Sequence, residues 1–255
     1  MSLLGIVTYN IAKDWDLPTI LERLERLEYE GVELRTGHAH KVEAGLSKHE
    51  RDEIRKRFED SPVELAGLGS AFEFQSRDPA EVKRNIEGTK AYVRLAHDLG
   101  APGVKVRPNG IPKGADLDAT LHQIGRALHE IGRDAADFGV EIRVEVHGGT
   151  TSLLPNFAKI MTHADCDNVF ACWNSNPSDV QNGSIEAGFN LIAPKIREVH
   201  LRDLTDMAYP WRDLFARLKH QNYQGYTLAE IAESADPERV LRYFRTLWIA
   251  YQPRP

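Results

Sequence analysis

Apolar positions along the chain recur in two alternating rhythms. Leu17, Ile20, Leu21, Leu24 and Leu27 fall on one face of a helix of roughly 3.6 residues per turn, as do Leu117, Leu121, Ile124, Leu128, Ile131 and Ala135, so both stretches predict amphipathic helices. Between such stretches lie short β-rich runs near residues 3–9, 31–35, 63–69, 102–107, 140–146, 168–173, 196–201 and 225–230. A glycine divides helix from strand in "LEYEGVELR", "AHDLGAPGVKV", "AADFGVEIRV" and "HQNYQGYTLAEI", where it is expected to close the helix in a left-handed conformation. Ser47 with Glu50 predicts a capping box. Asp236, Pro237 and Glu238 open a last helix striped by Val240, Phe244, Leu247 and Trp248.

Eight strand-plus-helix units predict an α/β chain with a parallel sheet, and eight units in about 250 residues match a (β/α)₈ TIM barrel, a single domain over residues 1–255. A doubly wound open sheet uses the same units. No G-x-G-x-x-G follows the first strand, however, and no linker or composition break divides the chain.

Composition narrows the setting. With 42% hydrophobic and 27% charged residues the chain reads as a soluble globular protein, and a net charge of -6 advertises no basic face for nucleic acid. "MSLLGIVTYN" has no basic n-region and no run of roughly eighteen apolar residues occurs, so no membrane span is expected and the protein reads as cytoplasmic. Cys166 and Cys172, without Cys-x-x-Cys spacing, are expected to be a reduced pair without catalytic duty.

Candidate chemistry concentrates where strands end. "IRVEVHGG" carries Glu145 and His147, "VFACWNSN" carries Asn174, "IREVHLRD" carries His200, and "YTLAEI" runs into Glu230. Carboxylate, carboxamide and imidazole suit a divalent cation of moderate hardness, and neighbouring strands would bring them to one point. Strand alternation groups Glu145 with Arg143 and His147, Glu33 with Arg35, Lys105 with Arg107, Cys172 with Asn174, and His200 with Arg202. Arg35, Lys105, Arg107, His147 and Arg202 are therefore candidate substrate-binding residues, with pairing of Lys105 and Arg107 to Glu33 and Glu73 as the alternative. His38 and His40 resemble a small metal clip in "RTGHAHK", but are read instead as part of a solvated loop after the second strand. Trp15, Phe72, Phe74 and Trp211 sit near strand-to-helix loops, where an aromatic face can stack on the apolar face of a bound ring.

From "LGIVTYN" through "GVELR" and "GVKVRP" to "GYTLAEI", the chain resembles the xylose isomerase-like superfamily of barrels, often called sugar phosphate isomerases/epimerases. The resemblance implies one divalent metal held by Glu145, Asn174, His200 and Glu230. Two departures stand out: the family's sixth-strand Asp-x-x-His is here Asn174, Ser175, Asn176 and Pro177. Only two carboxylates then face the ion, so weaker metal binding and a more electrophilic metal are expected. Mn²⁺ is the first choice, with Co²⁺, Zn²⁺ or Mg²⁺ as substitutes.

The activity expected is isomerisation or epimerisation of a sugar, keto-sugar or polyol through an enediolate, with Glu145 and Glu230 moving protons. A dehydratase or lyase on a keto-inositol or oxidised sugar, a non-catalytic carbohydrate-binding barrel and the superfamily's nuclease branch are the alternatives. The partner expected is a small carbohydrate or polyol, with no nucleic acid and no membrane; a homo-oligomer is left open.

Overall fold

The computed structural model describes residues 2–253. Strands β1 (Leu3–Val7), β2 (Gly31–Arg35), β3 (Glu64–Gly69), β4 (Gly103–Val106), β5 (Glu141–Glu145), β6 (Val169–Trp173), β7 (Ile196–Leu201) and β8 (Tyr226–Ala229) pair in parallel, in sequence order. The register of β1 on β8, Leu3 opposite Tyr226, closes the sheet into a barrel. The helices between them are α1 (Leu17–Arg26), α2 (Lys48–Glu59), α3 (Pro79–Leu99), α4 (Leu117–Ala136), α5 (Leu154–Ala164), α6 (Glu186–Ile192), α7 (Trp211–His220) and α8 (Pro237–Tyr251). All eight expected strands are present, most a residue or two shorter than expected, because the barrel narrows pairing to its waist.

The helices seat on the sheet by the faces their periodicity predicts. Leu121, Ile124, Leu128, Ile131 and Ala135 of α4 are wholly buried, each large one stabilising by about 1.5–3 kcal/mol. Ser47 and Glu50 cap α2 reciprocally, and the Asp236 side chain accepts the Arg239 N–H at the start of α8. In α8 the buried stripe is Leu241, Phe244 and Trp248, with Val240 and Leu247 only partly covered.

The glycine expectation holds at two of four boundaries. Gly100 and Gly139 take left-handed φ values of 77° and 66°, but before β2 and β8 the left-handed residues are Glu28 and Asn222. Gly31 and Gly225 serve close packing instead: a Cβ on Gly31 would stand 2.4 Å from the Tyr226 ring.

The barrel interior departs from the usual layers of branched apolar side chains. Val7, Ala66 and Leu228, with Tyr226 against them, form its own small apolar cluster, apart from the core beneath the helices. Beside them the interior is charged: Glu33, Lys105, Arg143, Glu145, Glu198 and His200 are all buried, with Glu33 opposite Val7 and His200 opposite Leu228 in the strand register. Backbone thinning makes the room. A Cβ at Gly69 would lie 2.3 Å from Glu33 Oε1, and one at Gly103 2.6 Å from Arg143 Nε. Register shifts add to this, since β3 and β7 each hold an extra residue, Ala66 against β2 and Arg197 against β6. The Ala66 carbonyl accepts Arg143 Nη1 at 2.8 Å, anchoring a guanidinium inside the barrel.

Candidate functional site

The C-terminal strand ends open on a cavity of about 340 Å³, at the face where TIM barrels build active sites. Alternation along the strands delivers its walls. Arg35, Lys105, Arg107, His147 and Arg202 all line it, together with Glu145, Asn174 and Glu230. Tyr9 and Asn10 after β1 and Asn176 after β6 complete the polar wall; none of these three stood out from the sequence, because they lie on loops that obey no periodicity.

Glu145, His200 and Glu230 offer ligand atoms that lie within 4.8 Å of one another. His200 Nδ1 stands 3.7 Å from Glu230 Oε2. Asn174 joins them through its amide, Nδ2 donating to Glu145 Oε1 at 3.1 Å, which leaves Oδ1 as the free atom. Both Asn174 Oδ1 and His200 Nδ1 are buried with no hydrogen-bond partner. Burying an unsatisfied polar atom costs about 1–3 kcal/mol, a cost that a cation accepting these lone pairs would remove. The donor set therefore fits a divalent ion of moderate hardness, and the two carboxylates balance its charge.

A carboxylate steers the imidazole from below. His200 Nε2 lies 3.3 Å from Glu33 Oε2 and 3.8 Å from Glu198 Oε2, all three side chains fully buried. With Nε2–H donated to Glu33, the Nδ1 lone pair is presented on the Glu230 side, the carboxylate–histidine arrangement that orients metal ligands. Glu198 is itself held by Arg143 Nη1 at 2.7 Å. The sequence reading missed Glu198, although it shares the inward phase of His200 and Arg202 on β7 and was legible from that alternation.

The charges of this cluster follow from burial and neighbours. Burial would raise the Glu33 carboxyl, but His200 and Lys105 beside it hold it down at about 2. Burial, with Glu33 adding like charge, pushes Glu198 up to about 7 against the pull of Arg143. Burial disfavours the Lys105 ammonium, yet Glu145, Glu33 and Glu230 outweigh it and keep the lysine above its ordinary value. Glu230 resists its own burial because His200 and Lys105 draw it below the usual carboxylate range. A second trio, Cys172, Glu198 and His200, also converges, but inside the closed barrel, where burial pushes the Cys172 thiol up to about 12 and Arg143 already neutralises Glu198. The trio that opens on the cavity is the better cation site. Both cysteines are free.

Several expectations need correction. Lys105 Nζ pairs with Glu145 Oε2 at 2.6 Å rather than with Glu33, because β4 and β5 are neighbours in the sheet while β2 is two strands away. Arg107 does pair with Glu73, at 2.9 Å. His38 and His40 lie on the loop after β2, but they are tied into it rather than left to solvent. His40 is buried, donating from Nε2 to the Arg35 carbonyl and accepting the Val42 N–H at Nδ1, while His38 Nδ1 meets Thr8 Oγ1 at 2.9 Å. Trp15, Phe74 and Trp211 are buried and Phe72 packs edge-on against Tyr92, so none of the four lines the cavity; the aromatic there is Tyr9. Their rings are worth more in the core, where their large apolar area leaves water.

Fold and site together define a TIM-barrel protein with a cation-suited pocket at its C-terminal face. A family model for the xylose isomerase-like TIM barrel matches residues 21–247, and the chain belongs to that family. Among relatives, an inosose isomerase of Halalkalibacterium halodurans is 24% identical over 241 residues, 87% of this chain and 83% of the relative. Of solved structures, the IolI protein with a bound zinc atom superposes with a TM-score of 0.82 at 18% identity, covering 97% of both chains. A D-psicose 3-epimerase of Clostridium cellulolyticum H10 with D-tagatose gives 0.82 at 13% identity, over 98% of this chain and 99% of the epimerase. At such identities the superpositions show the shared fold. No helix among the described residues is long and apolar enough to cross a membrane.

Proposed function

We propose that the protein is a divalent-metal-dependent isomerase or epimerase of a small sugar, keto-sugar or polyol, acting by proton transfer next to a carbonyl. The observation that carries this reading is the pair of buried, unpartnered atoms Asn174 Oδ1 and His200 Nδ1 beside Glu145 and Glu230 at the floor of an open cavity. The substrates named for two relatives, an inosose and D-psicose, support the substrate class. Glu145, Asn174, His200 and Glu230 would hold the ion, Mn²⁺ by first choice, since mixed carboxylate and imidazole donors do not select strongly by softness; the zinc atom in the IolI structure supports a divalent ion.

When bound, the ion would polarise the substrate carbonyl and offset charge building on its oxygen. Glu230, one-fifth exposed at the cavity wall and drawn towards its ionised form by Lys105, would take a proton from carbon. Glu145, tied to Lys105, serves the opposite face of the substrate. Lys105 steadies that carboxylate and brings a positive charge to the floor where negative charge develops. His147 and Asn176 reach the cavity from the β5 and β6 loops, where they can bind substrate hydroxyls.

The test is metal content followed by isotope exchange. After chelation and reconstitution, the protein should hold about one Mn²⁺ or Zn²⁺ per chain, as four ligand residues make one site, and His200→Ala should hold far less. Keto-inositols and ketoses turned over in D₂O should gain deuterium on the carbon next to the carbonyl, and Glu230→Gln should suppress this at matched metal occupancy. Equal metal in wild type and variant, or turnover without solvent deuterium, would refute the reading.

A further inference from the structure

The cavity holds more positive charge than its own residues neutralise. Lys105 and Arg107 are matched by Glu145 and Glu73, but Arg35 and Arg202, which line the same space, are not. Arg35 is half-buried; it donates from Nη1 to the Thr36 carbonyl at 2.7 Å and lies 5.5 Å from the Tyr9 ring centre, with no ion pair to a carboxylate among the described residues. Arg202 is exposed and makes no hydrogen bond, ion pair or ring contact with the described residues. The remaining lining carboxylate, Glu230, faces His200. A divalent ion on Glu145 and Glu230 would consume their charge and leave both guanidiniums uncompensated, with Lys105 keeping only the deeper Glu33.

Two guanidiniums without a carboxylate partner in one partly enclosed pocket are a receptor for oxyanions. The planar fork gives two parallel N–H donors to a carboxylate or phosphate, whereas a neutral polyol is recognised well enough by amides and imidazoles such as Asn10, Asn176 and His147. A neutral substrate would also leave the pocket's excess charge standing.

We propose that the substrate is an anion, a small keto or hydroxy compound whose carboxylate or phosphate group is received by Arg35 and Arg202. This deepens the isomerase reading and rests on it for taking this cavity as the substrate's; anion binding itself requires no metal.

Calorimetric titration of the whole chain, metal-free and Mn²⁺-loaded, with glycerate, glycerol 3-phosphate and glycerol compares a carboxylate, a phosphate and a neutral molecule on one carbon skeleton. At least one anion should bind about tenfold or more tighter than glycerol, the scale of one charge-assisted contact. Whichever anion leads identifies the group. Arg202→Gln, which removes an exposed side chain without partners and so leaves the fold intact, should cut that advantage several-fold, and Arg35→Gln with Arg202→Gln should abolish it while Mn²⁺ affinity stays unchanged. Glycerol binding as tightly as both anions would overturn the proposal, and so would an anion preference that survives in the double variant, because Lys105 or the metal would then hold the anion. Normal metal uptake and deuterium exchange without anion preference would sink this inference alone; arginine-dependent anion binding in a protein that takes no metal would sink the isomerase reading alone.

Discussion

One nitrogen in place of an oxygen sets the charge at the cavity floor. Asn174 donates to Glu145, a contact that a carboxylate at this position would turn into repulsion. Asn174→Asp should therefore lower the melting temperature of the metal-free protein yet tighten Mn²⁺ binding about tenfold or more, each factor of ten being 1.4 kcal/mol. Thermal melts with and without Mn²⁺ check both halves, and an unchanged Mn²⁺ affinity would place Asn174 outside the ligand set. Glu33 acts one contact further away. Glutamine there can offer its amide N–H to His200 Nε2 and favour the tautomer whose proton sits on Nδ1. Glu33→Gln should then weaken Mn²⁺ binding roughly 10–100-fold, the usual consequence of losing such a partner. A variant that binds Mn²⁺ like wild type would show that His200 needs no help from below.

Among the elements, the loop after β6 does the joining. Ser175, in a left-handed conformation at φ 46°, donates to the His200 carbonyl at 2.8 Å, and Asn176 Nδ2 donates to the Val146 carbonyl at 2.7 Å, so the loop ties the ends of β5 and β7 to that of β6. Asp179 braces it by accepting the Asn176 N–H at 2.7 Å, while its other oxygen is buried without a partner. Burial pushes this carboxyl up to about 7 against an ordinary value of 3.8. Between those values the folded chain keeps a proton that the unfolded chain has lost, so this group's contribution falls as pH rises towards 7 and is flat above it. Asp179→Asn keeps the acceptor but not the titration. Its stability relative to wild type should improve from pH 5 to pH 8, by roughly 1–3 kcal/mol. A difference between the two melting curves that does not move with pH would contradict the assignment.

At the scale of the whole barrel, a charged interior replaces apolar layers, and Arg143 is its tie-rod. From β5 it reaches Glu198 on β7, the Ala66 carbonyl on β3 and Glu141 at the start of its own strand. Arg143→Met alone would strand Glu198 without its cation and should cost about 3–5 kcal/mol, whereas Arg143→Met with Glu198→Leu removes both charges and should recover much of that loss. Urea midpoints of the two variants decide it. A double variant no more stable than the single one would mean that Arg143 serves the Ala66 carbonyl and Glu141 rather than Glu198. Such a network is expensive to bury, and its upper edge is the candidate metal floor, which is the reason to regard it as built for the site.

The sequence by itself determined the eight strand-plus-helix units, their parallel closure and the strand ends carrying Glu145, Asn174, His200 and Glu230, because local periodicity and alternation decide which faces leave water. Alternation likewise put Arg35, Lys105, Arg107, His147 and Arg202 at the mouth. Only the tertiary structure decided who pairs with whom. Lys105 met Glu145 because their strands are adjacent, Glu33 and Glu198 met His200 because glycines and register shifts cleared the interior, and the aromatic residues near the loops turned to the core. Side-chain contacts between strands distant in sequence depend on barrel closure and on volume left by other residues, and neither is written in the spacing of any single segment.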